Sequence, residues 1–374
     1  MKLSEKKRVL IYVDRWASGG IESFIVTFLE NVSTKDFNFT IVTSTKESQL
    51  FDERLSRLDV NFVTLLDEFS AWYIRPFKML IKFKEFIRDE HFDVYHFHIY
   101  NAISLLYPAL IDRKRSVIVH SHNADVSHNY SRFVKLPVHK MFRTLLVKKR
   151  YTLLAVSQLA GKWMFKNSKF TIINNGIDSK KFKFSTEIRK KYREIFNFDD
   201  NTLVFLNVGR LNEQKNQTAF IEILKYIKNN IGYKVKGLII GDGELRTELE
   251  NKIKTSNMDQ NISILSGRDD LANIASMSDV FVLPSLYEGL PLVGVEMQSN
   301  GLVCFFSSNV DEAIKITEKA SFINIEEPYE IIAKKMISLL NEKLMSDRKL
   351  MNQIVEKNGF DIQSTVDKIV KLYK

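Results

Sequence analysis

The chain has 374 residues, 45% of them hydrophobic, and at about 100–200 residues per domain it is long enough for two domains with sizeable cores. Fifty-five Lys and Arg against forty-five Asp and Glu leave a formal charge of +10, which points to anionic partners without separating phosphate-bearing ligands, nucleic acid and anionic lipid. The single cysteine, Cys304, excludes an intramolecular disulfide and a multi-cysteine metal cluster and fits a reducing compartment.

The N-terminal run MKLSEKKRVLIYVD has a basic start, but its apolar part is too short for a signal peptide. No stretch reaches the roughly 18 apolar residues of a membrane span, so a cytoplasmic location is expected. Val9 to Val13 predicts a first buried strand, a helical pattern begins near Ile21, and Phe39 to Thr43 predicts a second strand. Between them, Trp16-Ala17-Ser18-Gly19-Gly20-Ile21-Glu22 opens the first helix, and Gly19 and Gly20 let backbone approach a ligand closely. The run is not a full G-x-G-x-x-G pattern, and a tight strand-to-helix turn explains it equally well.

Further along, His96-Phe97-His98 and His120-Ser121-His122-Asn123 lie at the ends of two more expected strands. Alternation puts both members of each pair on one side of a sheet. Cooperating carboxylates at metal-ligand spacing are not evident beside them, so the reading favours polar groups facing a sugar over a metal site. Two stretches are basic and interleaved with apolar residues. Ser131 to Tyr151 carries Arg132, Lys135, Lys140, Arg143, Lys148, Lys149 and Arg150 among Phe133, Leu136, Phe142 and Leu146, with no acidic residue, and Trp72 to Arg88 repeats the theme with Glu85 alone acidic. Such surfaces attract anionic lipid at about 1 kcal/mol per cation. An ordinary helix with its charged side in water is the alternative. A basic stripe without a base-reading module argues against nucleic acid.

Asn174 to Asp178 and the polar, basic run Ser179 to Phe184 read as turn and linker, which sets expected domains at 1–178 and 179–357. A second strand series follows at Leu203 to Val208, Lys236 to Ile240, Ile262 to Leu265 and Val280 to Leu283. Strands alternating with longer amphipathic segments predict an α/β chain with parallel sheets covered on both faces. Cys304 falls in a further buried strand, where a structural thiol is expected. The last segment, about 358–374, places Ile362, Val366, Ile369, Val370 and Tyr373 on one helix face.

Two segments of the second half carry chemistry. Arg210 and Lys215 follow the strand ending at Val208-Gly209, at the carboxyl edge where parallel sheets bind ligands, and both can reach a diphosphate. Glu288-Gly289-Leu290-Pro291 and Glu296 follow the strand ending near Pro284, with Pro291 expected in the first turn of a helix. A helix start offers unpaired N–H groups and a positive dipole end to an anion, and ionised carboxylates accept hydrogen bonds from sugar hydroxyls.

Together these residues resemble the retaining GT-B glycosyltransferases of glycosyltransferase family four along nearly the whole chain, and the most specific element is the E-x7-E pair Glu288 and Glu296. The resemblance implies two Rossmann-like domains with parallel sheets facing a central cleft, and a C-terminal helix returning to the first domain. It implies that Glu288 contacts donor-sugar hydroxyls, Glu296 the nucleotide ribose, and Arg210 with Lys215 the diphosphate, with Gly289 and Leu290 completing the cradle through their amides. Gly241, Gly267 and Arg268 resemble loops bordering the nucleotide, Gly19 and Gly20 the family's N-terminal glycine loop, and His122 the histidine near the transferred sugar. His120 competes with His122 for that role, and His98 belongs with them on the acceptor side.

The implied donor is a UDP- or GDP-sugar used without metal or other cofactor. The implied reaction is hexosyl or N-acetylhexosaminyl transfer, in which the departing phosphate oxygen helps deprotonate the acceptor. In place of the Gly-Gly turn of many relatives the chain reads Ser307-Ser308-Asn309-Val310-Asp311-Glu312, which with His120 to Asn123 resembles the capsular and exopolysaccharide transferases. The expected partners are therefore a nucleotide sugar, a lipid-diphosphate-linked saccharide and the anionic inner face of the cell membrane. A sugar-nucleotide epimerase and a non-catalytic binder of the same fold are the competing readings.

Overall fold

A computed structural model describes residues 6–17, 19–66, 74–123, 132–146, 151–344 and 347–374. Ser18, Trp72, Ser131, Lys148, Lys149 and Arg150 of the segments singled out above lie outside the described residues. The chain divides into one unit of Met1–Gly176 with Ile362–Lys374 and a second of Ile177–Asp361. The division falls two residues before the expected boundary at 178, and the returning segment starts at 362 rather than 358, because Asp361 still pairs with Ile177 in a β-bridge.

The first unit holds strands β1 (Lys7–Trp16), β2 (Phe37–Lys46), β3 (Val60–Thr64), β4 (Val94–Ile99), β5 (Ser116–Ser121), β6 (Thr152–Ala155) and β7 (Thr171–Ile172). They form one parallel sheet in the order β3-β2-β1-β4-β5-β6-β7. β1 reads as an unbroken apolar run because helices cover both of its faces, leaving Val9 to Val13 buried. On one side Tyr12, Phe83, Phe97 and Tyr107 pack into the core. On the other, the helix Gly20–Asn31 brings Phe24 and Phe28 against the sheet, and the C-terminal helix Ile362–Tyr373 packs beside it with Ile362, Val366, Ile369 and Tyr373 buried.

The second unit holds β8 (Leu203–Val208), β9 (Val235–Ile240), β10 (Ile262–Leu265), β11 (Val280–Leu283), β12 (Val303–Ser307) and β13 (Ala320–Ile323), all parallel, in the order β10-β9-β8-β11-β12-β13. Phe205, Leu224, Ile239, Val282, Phe305 and Ile332 centre its core. Cys304 is buried in β12, where burial pushes its thiol far above the ordinary range, so it is inert. Both sheets are doubly wound. The strand order reverses between β1 and β4 in the first and between β8 and β11 in the second, and the carboxyl ends at such reversals form ligand crevices.

Candidate functional sites at the two sheet reversals

In the second unit the loops leaving β8 and β11 are tied together by main-chain and amide bonds. Leu286 N donates to Gln214 O at 2.8 Å, Gln214 Nε2 to Tyr287 O at 3.0 Å, and Asn216 Nδ2 to Pro284 O at 3.2 Å. Asn212 caps the intervening turn by accepting from Lys215 N at 3.1 Å. These bonds bring Lys215 Nζ to 2.5 Å from Glu288 Oε1, with the two side chains only 16% and 12% exposed. The lysine stem passes over Gly209, whose backbone has φ +157° and where a Cβ would lie 2.9 Å from Lys215 Cε. Glycine is thus what lets the lysine lie flat across the end of β8.

Arg210 is the open cation of this site. Its pair with Glu244, at 3.4 Å between half-exposed side chains, is weak and leaves the guanidinium able to turn towards an anion. Gly241 closes β9 against Gly209, whose carbonyl oxygen would sit 2.0 Å from a Cβ at 241. Gly267 N donates to Asp242 Oδ2 at 2.9 Å, which fixes the neighbouring loop. Arg268 is forked onto Asp270 at 2.7 and 2.9 Å, and that bonding raises the guanidinium further above its already high ordinary range.

Glu288 lies in the loop and bridges Val310 through its backbone, Gly289 and Leu290 follow, and Glu296 projects from the helix Leu292–Ser299. Pro291 precedes the first helical residue rather than occupying the first turn as expected: with ψ 116° it sits in extended backbone and serves as the cap. Three polar residues beside this loop pair were not singled out in the sequence. Ser285 Oγ, Asn207 Oδ1 and Gln217 Oε1 are buried without a hydrogen-bond partner, although Asn207 and Gln217 each donate an amide bond to the backbone. Unpaired buried acceptors cost about 1–3 kcal/mol each and mark the crevice as built for polar contact. The signal for Asn207 and Ser285 was positional, a polar residue at or just beyond a strand end, and Gln217 opens the helix Gln217–Tyr226.

In the first unit the carboxyl end of β1 presents Asp14, which the sequence reading passed over. Its Oδ2 accepts from Arg75 at 2.8 Å and from the Tyr100 hydroxyl at 2.6 Å, and Tyr12 adds a bond to Oδ1 at 3.3 Å. Next along the chain, Glu22 accepts from Ala17 N at 3.3 Å and Gly19 N at 3.1 Å and so straps the glycine loop to its own helix. A Cβ on Gly19 would lie 2.7 Å from Glu22 Oε2, whereas Gly20 has open space around it. Burial raises the Glu22 carboxyl to about 7, against the lowering effect of its loop amides and of Arg15.

His96, His98, His120 and His122 gather on one face of β4 and β5, under Phe24 and Tyr373. All four are buried rather than open to solvent, His122 at 7% the least so. Burial holds each imidazole below its ordinary range, His120 to about 3, so the rings are neutral. Asn175 Nδ2 lies 3.3 Å from His122 Nδ1, and His122 Nε2 lies 2.9 Å from His98 Nδ1. With the amide oriented this way, His122 keeps its proton on Nε2 and donates to His98. Both nitrogens of His122 are therefore engaged within the unit.

The chain matches two family descriptions: Glycosyltransferase Family 4 over residues 18–181 and Glycosyl transferases group 1 over residues 188–358. It is 31% identical over 313 residues, 80% of each chain, to an Escherichia coli UDP-Gal:alpha-D-GlcNAc-diphosphoundecaprenol alpha-1,3-galactosyltransferase. It is 22% identical over 376 residues, 98% of each chain, to a Staphylococcus aureus capsular polysaccharide biosynthesis glycosyltransferase. Among solved structures, Anabaena HepE in complex with UDP-glucose superposes with a TM-score of 0.78 at 16% identity over 98% of each chain, a likeness of fold.

Proposed function

The chain belongs to the GT-B glycosyltransferases of the family-four kind, and from that membership we propose that it is a retaining enzyme transferring a hexosyl or N-acetylhexosaminyl group from a UDP- or GDP-sugar to a lipid-diphosphate-linked saccharide in cell-surface polysaccharide synthesis. The observation that carries the donor half of this reading is the Lys215–Glu288 pair at the carboxyl edge of the second sheet. A lysine ammonium has three donors, so Lys215, held in place by its ion pair with Glu288, offers donors to the diphosphate, joined by Arg210. Glu288 turns its remaining acceptor capacity to sugar hydroxyls, and Glu296 takes the ribose. The amides of Gly289 and Leu290 complete the anion cradle.

In the proposed reaction the bond from sugar C1 to phosphate oxygen breaks as the acceptor oxygen bonds C1 on the same face, and the acceptor proton passes to the departing phosphate. Cationic side chains and helix N–H groups neutralise that phosphate, so donor use requires no metal. Gly19, Gly20 and His122 serve the region of transfer, with His98 and His120 behind His122. Arg268, Gly241 and Gly267 border the nucleotide.

The acceptor reading rests on the lipid-diphosphate substrate named for the Escherichia coli relative and on the surface of the first unit. In the helix Arg75–Asp89, Phe77 and Ile81 are more than 60% exposed beside the exposed Lys78, Lys82 and Arg88. In the helix Arg132–Leu146, Phe133 is 81% exposed and Met141 50%. Apolar side chains standing out among cations favour docking on an anionic bilayer over a helix whose apolar side is wholly buried. No described helix is long and apolar enough to cross a membrane, and we place the enzyme peripherally on the inner leaflet. An assay of UDP- and GDP-sugars with an undecaprenyl-diphosphate-linked N-acetylhexosamine in vesicles tests the reading. A lipid-linked product one sugar longer supports it, whereas conversion of the nucleotide sugar alone, or no turnover with any donor, contradicts it.

A further inference from the structure

The histidine cluster of the first unit has a feature that sugar binding does not use. His96 and His98 stand two residues apart on β4, and His120 lies directly opposite His98 on β5, so all three rings share one face. The rings of His96 and His98 are 4.2 Å apart, those of His96 and His120 are parallel within 9° at 5.6 Å, and the three residues offer ligand nitrogens all within 4.8 Å of one another. His96 Nε2 and both nitrogens of His120 are buried without a hydrogen-bond partner of ordinary geometry, the backbone of Ile173 giving His120 only weak polar support.

Two of the rings are oriented by their other nitrogen. The Tyr373 hydroxyl lies 2.7 Å from His96 Nδ1, and His122 Nε2 lies 2.9 Å from His98 Nδ1. For His96 and His98 to ligate through Nε2, each Nδ1–H must donate to that partner, which reverses the His122 tautomer and turns the otherwise unpaired Asn175 Oδ1 to His122 Nδ1–H. Imidazoles that donate one ring N–H to a fixed acceptor and turn the other, unprotonated nitrogen inward are how proteins present histidine to a metal.

We propose that His96, His98 and His120 bind a transition-metal ion of the zinc class in the first unit. Three imidazoles and no carboxylate select zinc, cobalt, nickel or copper over magnesium, calcium or manganese. Their burial keeps all three rings neutral, the form that coordinates a metal. A tetrahedral ion with Zn–N bonds of about 2.0–2.1 Å needs nitrogens about 3.3 Å apart, so the cluster closes by roughly 1.5 Å at most. His120, which gives up only its weak support from the Ile173 backbone, is the ring that must turn to close the site. Three protein ligands leave one position for a solvent molecule or an anion. The site lies wholly in the first unit and requires nothing of Lys215 or Glu288, so it is compatible with metal-independent use of the donor and stands or falls separately from it.

The test is the metal content of tag-free protein expressed in zinc- or cobalt-supplemented medium and desalted. We expect about one equivalent per chain, and visible ligand-field bands of nitrogen-ligated cobalt in the cobalt-grown protein. His120→Gln and His96→Gln should lower occupancy at least tenfold, while the exposed His91→Gln retains it. Tyr373→Phe, which keeps the packing and removes only the hydroxyl on His96, should weaken zinc affinity by about 10- to 100-fold. Wild-type protein with under a tenth of an equivalent of any transition metal overturns the proposal without recourse to a variant, and so does a folded His120→Gln protein that carries as much metal as wild type.

Discussion

Lys215 Nζ lies 2.5 Å from Glu288 Oε1, a largely buried ion pair joining the loops that leave the two central strands of the second sheet. Neither residue can be removed without leaving its partner charged and largely shielded from water, a situation that costs several kcal/mol when nothing replaces the lost charge. The pair therefore sets both the shape of the crevice and the position of its cation.

Lys215→Ala and Glu288→Gln should each lower turnover by about 100-fold or more, because they remove charge placed to meet the donor. They should differ in the ground state. Lys215→Ala weakens donor binding, whereas Glu288→Gln, which keeps a hydrogen-bond acceptor beside Lys215, affects turnover more than affinity. Initial rates over a range of donor concentrations separate the two, and equal rates for both variants and wild type would remove the site assignment.

Glu22 gives the protein a pH-dependent stability of defined sign. Its carboxyl rises from 4.5 to about 7 in the folded chain, so the folded state holds a proton that the unfolded state has released across that interval. Stability contributed by Glu22 is complete below about 4.5 and is lost as pH rises to about 7, by roughly 3 kcal/mol at most. Thermal melts of Glu22→Gln should show a shallower fall between those pH values than wild type and a relative gain above pH 7. Parallel curves for the two proteins would show that the buried carboxyl does not titrate there.

The sequence made the layered α/β pattern legible because Val9 to Val13 of β1 and the strands β8, β11 and β12 are largely apolar runs, and it made Glu288 and Lys215 legible as members of a motif. It did not show that those two side chains touch, because that contact depends on Gln214 and Asn216 reaching across to the loop after β11. Asp14 and Glu22 were missed for a similar reason: an acidic residue at the end of a strand or in a first helical turn reads as solvated or capping until its partners, Arg75 and Tyr100 for one and the loop amides for the other, are placed around it. The two His-x-His pairs were visible as pairs, but their convergence on one face required the pairing of β4 with β5.

Asp279 should be the most sensitive charged position for stability in the second unit. Its carboxylate joins Arg189 at 2.6 Å and Arg193 at 2.7 Å and accepts from Val204 N at 2.9 Å, with the Arg193 side chain 3% exposed. Asp279→Ala leaves Arg193 buried without its counter-charge and should cost about 3–5 kcal/mol. Urea denaturation monitored by circular dichroism measures this, and a loss under 1 kcal/mol would mean that Arg193 is satisfied by the carbonyl oxygens around it.

Membrane docking should depend on apolar side chains as well as charge. Phe77→Ser with Ile81→Ser should reduce co-flotation with vesicles containing anionic lipid. Replacing Lys78, Lys82 and Arg88 by Gln should abolish the salt sensitivity of whatever binding remains, since exposed charges act over only about 10 Å at 0.1 M salt. Flotation unchanged in both variants would place the docking surface elsewhere.

The most direct test of the donor site is calorimetric titration of UDP and GDP, in the presence of a chelator, into wild-type protein and Lys215→Ala. A charge-assisted hydrogen bond of about 1.5–3 kcal/mol predicts that one of the two nucleotides binds wild type and that Lys215→Ala binds it about 10- to 100-fold more weakly. Equal affinity in the two proteins, or binding by wild type that disappears with the chelator, would contradict the account.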